Sequence, residues 1–141
     1  MGGQAALRIP FDSLGSMIVL VDTSMLIDYL RGHAGAAEVL ERERAIGPLH
    51  ASEISRLEVL AGMRSAEEND TRSLLSMLIW HPVDEEVAEV AGALGREWLR
   101  SHQAIDAADL AIAGTVVRMN AELLTCNVKH FPMFPNLVAP Y

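Results

Sequence analysis

The run Met17-Ile-Val-Leu-Val21, five apolar residues stopped by Asp22-Thr23-Ser24, limits the fold more than any other stretch of this chain. A short apolar run without polar alternation does not suit a sheet with one wet face. It fits a strand covered on both faces, the usual state of a strand in a parallel sheet. Parallel strands need crossover segments between them, and the rest of the chain offers helices for that purpose. Thr23 or Ser24 is placed to cap a short helix over Met25–Arg31, closed by Gly32. Ala34–Ala45 mixes apolar residues with Glu38, Glu41, Arg42, Glu43 and Arg44 as a surface helix does, and Gly47-Pro48 ends it. Leu49–Ala51 reads as a weak strand. Ser52 to Met63 reads as a helix with Ile54, Leu57, Leu60 and Ala61 on one face, and Ser55 to Glu58 has the form of a capping box.

Further along, Ala66–Leu78 is amphipathic, with Leu74, Leu75 and Leu78 directed inward. Ile79–Val83 is extended, because Pro82 disfavours helix at His81. Asp84-Glu85-Glu86 opens a long helix to about Ser101, with acids at the positive end of its dipole. Asp106–Met119 is the most apolar helix, and Asn120 ends it. Leu123–Thr125 is a short strand, residues 127–135 are loop, and Leu137-Val138 is a candidate last strand. Strands alternating with helices in this order predict an α/β chain: a three-layer α/β/α sandwich around a short parallel sheet. The length of 141 residues suits one such domain.

Composition narrows the function. Hydrophobic residues make up 50% of the chain and charged residues 21%, which is globular. The formal net charge of −8 excludes a generic basic coat for nucleic acid, though not a nucleic-acid enzyme whose acids surround a cation. Cys126 is the only cysteine, so neither an intrachain disulfide nor an all-cysteine zinc site is available. No apolar run approaches the ~18 residues of a membrane span. The chain reads as cytosolic. Residues 1–16 have no charged start or apolar stretch of a secretory leader, and Ala6 breaks a myristoylation pattern. Gly15-Ser16 ahead of Met17 has the look of a cloning junction, so residues 1–16 read as an extension and residues 17–141 as the domain.

Several residues carry chemistry. Asp22 ends the first strand, at the edge where open α/β sheets bind ligands. Its bland alternative is a helix cap, worth roughly 1 kcal/mol. Asp106 and Asp109 share the first turn of a helix, where capping and the dipole also explain acids. Asp109, however, is flanked by Ala107, Ala108, Leu110, Ala111, Ile112, Ala113 and Gly114. A carboxylate in that setting needs a cation, a donor or a proton. Glu58 alone is an ordinary helical acid. Together, acids in one crevice repel unless a cation neutralises them. Oxygen-only ligands select Mg2+ or Mn2+, and such ions promote displacement at phosphorus. The five histidines show no paired ligand spacing, and they read as surface or core residues.

Four blocks then resemble the PIN-domain ribonucleases, most closely the VapC-type toxins of bacterial toxin–antitoxin pairs. They are Val19 to Leu30 around Asp22, Ser52 to Gly62 around Glu58, Ile105 to Gly114 around Asp106 and Asp109, and Leu123 to Phe131 around Asn127. The resemblance implies a Mg2+- or Mn2+-dependent endoribonuclease. It implies Asp22, Glu58 and Asp109 as metal-holding residues, Asp106 as an assistant, and Thr23, Thr125 and Asn127 as substrate contacts. It also implies a homodimer silenced by an antitoxin. The apolar faces Leu26/Tyr29/Leu30 and Ile54/Leu57/Leu60/Ala61 are candidate grooves for the antitoxin, one of whose arginines would enter the acidic crevice. The last block departs from many relatives, which carry an acid at the Asn127 or His130 position and often a base at Cys126.

Other strand-then-Asp folds fit less well. A haloacid-dehalogenase-type phosphatase needs an acid where Ser24 stands, and a receiver domain needs paired acids at the first strand. The remaining rival is a PIN-like module that binds RNA or protein without catalysis. Trp80 and Trp98 read as packing residues rather than base-stacking platforms. Arg31, Arg56, Arg64 and Arg72 are candidate phosphate contacts at the rim.

Overall fold

The computed structural model describes residues 18–141; the proposed extension at residues 1–16 and the start at Met17 lie outside them. Strand β1 (Val19–Val21) is followed by helices α1 (Thr23–Leu30) and α2 (Ala34–Ile46). Strand β2 (Leu49–Ser52) leads into α3 (Glu53–Ala61), and α4 (Glu68–Ser76) into β3 (Leu78–His81). Helices α5 (Glu85–Trp98) and α6 (Ala107–Met119) precede β4 (Glu122–Leu124). The strands form one parallel sheet in the order β3-β2-β1-β4.

Alternation along these strands divides the core into two. Val19, Val21, Leu49, Ala51, Leu78 and Leu124 face one way and pack with Met25, Leu26, Val39, Leu40, Leu74 and Leu75 from α1, α2 and α4. Leu20 and Leu123 face the other way and pack with Ile112, Ala113 and Val116 of α6 and with Phe131. The expected α/β/α sandwich is therefore present, with a central β1 that is buried along its length as its unbroken apolar run requires. After β3 the chain crosses behind β1 to add β4 on the far side. That reversal opens a crevice at the carboxyl ends of β1 and β4.

Local chemistry explains most boundaries. Ser52 caps α3 by accepting from the Ile54 N–H at 3.1 Å, and Asp84 caps α5 by accepting from the Val87 N–H at 2.9 Å. Asn120 closes α6 in the left-handed region, φ 51°, which asparagine tolerates. Trp80 packs beside the core, its Nε1–H donates to the Leu75 carbonyl, and the Arg56 guanidinium lies 4.3 Å over its ring.

Several boundaries and faces differ from the sequence reading. α1 begins at Thr23, two residues earlier than expected, so neither Thr23 nor Ser24 caps it; Asp22 takes the cap position but gives no side-chain cap bond. Leu78 belongs to β3, and a short 3-10 turn at Ser65–Glu67 precedes α4. Leu57 is 60% exposed, because α3 turns Ser55 and Val59 inward instead. Ser55 and Glu58 form no capping box; both are drawn to Thr23 of α1. Among the described residues there is no strand at 137–138: Leu137 packs against the α6 side of the core and Val138 is 73% exposed.

His50 and His81 also pair, Nδ1 to Nε2 at 2.8 Å across β2 and β3, a contact that sequence spacing hid. Burial of His50, aided by the neighbouring His81, holds its pKa below the usual 6.5.

Helices α5 and α6 meet at Gly114, where an added Cβ would lie 2.9 Å from the Val87 carbonyl and 3.2 Å from Ala91. Alanine would gain about 1 kcal/mol of helix propensity, but backbone cannot yield as a flexible side chain does. Gly114→Ala should therefore lower stability by roughly 1–2 kcal/mol net in urea unfolding. A more stable variant would show that the two helices separate freely.

Candidate active site

Parallel register brings the candidate residues to one edge. Ser52 pairs with His81, Leu20 with His50, and Val21 with Leu124. Carried on to the strand ends, these registers align His81, Ser52, Asp22 and Thr125 across the carboxyl edge of the sheet. Asp22 lies two residues after Leu20 and so shares its face, the face that α6 covers. The first turn of α6 carries Asp109.

Asp22 is 3% exposed. Its Oδ2 accepts from Thr125 Oγ1 at 2.8 Å and from Ser24 Oγ at 2.8 Å. Among the described residues Oδ1 takes no hydrogen bond and no cation pairs with the group. Thr125, 1% exposed, accepts in turn from the Asn127 N–H at 2.9 Å. Thr23 points to α3, where its hydroxyl donates to Glu58 Oε1 at 2.7 Å. Thr23 has one hydroxyl proton, so the 2.7 Å contact with Ser55 is donated by Ser55. A relay Ser55→Thr23→Glu58 thus holds the half-buried Glu58 beside the end of β1.

Asp106 and Asp109 form a reciprocal capping box: the Asp109 N–H donates to Asp106 Oδ1 at 2.8 Å, and the Asp106 N–H to Asp109 Oδ2 at 3.1 Å. Asp106 is exposed, whereas Asp109 is 9% exposed. His130 Nδ1 lies 2.9 Å from Asp109 Oδ2. Burial pushes the Asp109 carboxyl up from 3.8 to about 6. The Asp106 N–H and His130 oppose that rise, and the Asp106 charge adds to it.

Three separate arrangements result: Asp22 with Thr125 and Ser24, Glu58 with Thr23, and Asp109 with His130. Among the described residues no three His, Cys, Asp or Glu side chains stand close enough to hold a metal ion. The expected single point of convergence is therefore not closed; hydroxyl, amide and imidazole donors meet these carboxylates instead. The donor chemistry is oxygen-rich, as Mg2+ and Mn2+ prefer: the carboxylates of Asp22, Glu58 and Asp109, with one Asp22 oxygen that takes no hydrogen bond among the described residues.

The substrate contacts need correction. Thr23 and Thr125 are buried and their hydroxyls are engaged within the protein, so they position Glu58 and Asp22. Asn127 is exposed at the edge of the crevice. Three of the rim arginines are matched with acids: Arg31 with Glu67, Arg56 with Glu53, and Arg72 with Glu68. Sequence reasoning missed Ser24, Ser55 and His130. The spacing of Ser55 and Glu58, one helical turn, was the available signal for the relay; for His130 it was its place in the last block, where many relatives carry an acid.

A PIN-domain family model matches residues 19–132. The chain is 42% identical over 123 residues to ribonuclease VapC19 of Mycobacterium tuberculosis, covering 86% of this chain and 98% of that one. It is 40% identical over 124 residues to ribonuclease VapC10 of the same organism, covering 88% and 93%. A toxin–antitoxin complex from Klebsiella pneumoniae contains a chain with the same fold: TM-score 0.73, 32% identity, 87% of this chain and 98% of that one covered.

The raised Asp109 pKa has a signed consequence. Protonation of the folded form stabilises it, fully below 3.8 and decreasingly as pH rises through about 6. Without divalent ions, Asp109→Asn should therefore melt higher than wild type at pH 7.5, and the advantage should shrink toward pH 4.5. A variant that melts lower at pH 7.5 would show that the charge is already compensated.

Proposed function

The chain belongs to the PIN-domain family, and on that premise we propose that it is a divalent-metal-dependent endoribonuclease, the toxin of a toxin–antitoxin pair, acting in the cytosol. The observation that carries the reading is Asp22: a buried carboxylate, held by Thr125 at the crevice where β1 and β4 end. Asp22, Asp109 and Glu58 would hold the cation. When bound, Mg2+ or Mn2+ would neutralise these carboxylates, polarise the scissile phosphate and lower the pKa of water.

The chain's own residues do the rest. Thr125 and Ser24 fix the Asp22 carboxylate, so that little reorganisation is needed when substrate arrives. The Ser55–Thr23 relay aims Glu58, which with Asp106 orients a water for in-line attack. Asn127 donates to a phosphate oxygen. In this reading the attacking group is water, which a bound divalent ion would activate, rather than a ribose 2′-hydroxyl activated by a histidine pair. Of the described histidines, His50 and His81 are paired with each other and only His130 contacts these carboxylates.

An antitoxin partner and a homodimer belong to the same reading. Leu26 is core, so of the two apolar faces the second offers Leu57, 60% exposed. A further cleft between α1, α2 and α4 is lined by Tyr29, Leu40, Leu74 and Met77. An apolar antitoxin segment suits either surface, with an arginine reaching the carboxylates.

Incubation with a pool of cellular RNAs tests the activity. Cleavage should require Mg2+ or Mn2+ and leave a 5′-phosphate and a 3′-hydroxyl. Asp22→Ala and Asp22→Asn should abolish it, and Asn127→Ala should slow it. A 2′,3′-cyclic phosphate, or full activity in excess chelator, would refute the mechanism. Binding should also be visible as stability: at a hundred times its dissociation constant, Mn2+ should stabilise the fold by about 2.7 kcal/mol. An unchanged melting curve in saturating Mn2+ would count against the site.

A further inference from the structure

Tyr141 touches three parts of the fold at once. Its hydroxyl donates to Asp28 Oδ2 of α1 at 2.6 Å. Its ring packs against the His33 imidazole, with the centroids 4.8 Å apart. Its main-chain oxygen accepts from Cys126 Sγ at 3.8 Å. The seat is shaped for it: a Cβ on Gly35 would lie 3.0 Å from Tyr141 Cβ and 3.1 Å from its Cγ, so a side chain there would push on the tyrosine. His33 is itself held, because its Nδ1 caps α2 by accepting from the N–H groups of Gly35 and Ala36. Burial first, and the Asp28 carboxylate second, hold the phenol above its usual 10.0, so it remains a donor at neutral pH.

These contacts fall on the two pieces of backbone that supply donors to Asp22. Asp28 lies four residues after Ser24, on the same face of α1, and Ser24 donates to Asp22 Oδ2. Cys126 stands between Thr125, the other donor to that oxygen, and Asn127, whose N–H is bound to Thr125 Oγ1. Because both donors meet on one oxygen, a shift of α1 against the segment after β4 would pull one of them away. Tyr141 ties the same two pieces together at a second point.

We infer that Tyr141 is a positioning residue, a clasp that holds α1 against the Thr125–Asn127 segment and so keeps both donors on the Asp22 carboxylate. The inference rests on the reading that Asp22 acts in RNA cleavage. Tyr141 itself touches no reacting atom and acts through Ser24 and Thr125.

Amide hydrogen exchange on the purified full chain tests the clasp without any substrate. Tyr141→Phe keeps the ring on His33 and Gly35 but loses the donor to Asp28. The Asn127 amide should exchange on the order of tenfold faster in this variant, as expected from losing one hydrogen bond to a charged group. Amides in the middle of α6 should exchange as in wild type. Asp28→Ala should match Tyr141→Phe, and the double variant should be no worse than either. Asp28→Asn, which keeps an oxygen acceptor for the phenol, should stay close to wild type. RNA cleavage supplies the second readout: kcat should fall in Tyr141→Phe with KM unchanged, at a temperature where circular dichroism shows the variant folded. A tyrosine that only fills space would lower the melting temperature and leave the Asn127 amide and kcat unchanged. That result, or faster exchange spread evenly through α6, overturns the inference. A wild type that cleaves no RNA overturns the ribonuclease reading instead, and the exchange comparison still decides the clasp.

Discussion

Burying the Asp22 carboxylate is the constraint around which this structure is arranged. A charged group 3% exposed is costly in a protein interior unless donors or a cation meet it. Here Thr125 reaches it from the neighbouring strand and Ser24 from its own helix, both onto one oxygen. The Ser24 contact is local, but the Thr125 contact depends on the fold being complete. Thr125 arrives only because the chain crosses behind β1 to lay down β4, and that crossing requires α5 and α6 to close on each other at Gly114. Asp109 follows from the same crossing, since α6 covers the sheet face that Asp22 shares. A carboxylate with one oxygen that takes no hydrogen bond among the described residues is suited to meeting a cation.

The net charge of −8 becomes intelligible in this light. Part of the acid lies along the carboxyl edge of the sheet, where the Asp106 charge acts on the neighbouring Asp109. Part is matched locally: Glu53, Glu67 and Glu68 pair with arginines that the sequence offered as phosphate contacts. Those surface pairs contribute little stability, so the arginines can still turn toward a polyanion when one approaches.

Much of the architecture was legible in the chain because burial leaves a strong imprint. The unbroken Val19–Val21 run, the apolar α6 and the caps Asp84 and Asn120 were all readable one residue at a time. The errors came where tertiary contact overrode local pattern. Leu57 looked inward by helical spacing, but α3 turns Ser55 inward to reach Thr23, and the apolar leucine is displaced to the surface. Leu78 continued the helical pattern of Leu74 and Leu75, yet pairing with Leu49 draws it into β3. For the site, Asp22 and Asp109 were visible as acids in places that disfavour charge. The roles of Thr23 and Thr125 were not, since whether a hydroxyl faces substrate or carboxylate depends on contacts 35 and 103 residues apart in sequence. The contact of His130 with Asp109 was unreadable for the same reason.

The proposal is that a divalent ion draws Asp22, Glu58 and Asp109 into one centre at the carboxyl edge of the sheet, where among the described residues no three such side chains stand close enough to hold one unaided. Anomalous diffraction from crystals soaked in Mn2+ tests it most directly. The account predicts one strong peak at the crevice between β1 and β4, at about 2.1–2.2 Å from carboxylate oxygens of Asp22 and Asp109 or one water away. A peak elsewhere, for instance at the His50–His81 pair, with none at the crevice would contradict it.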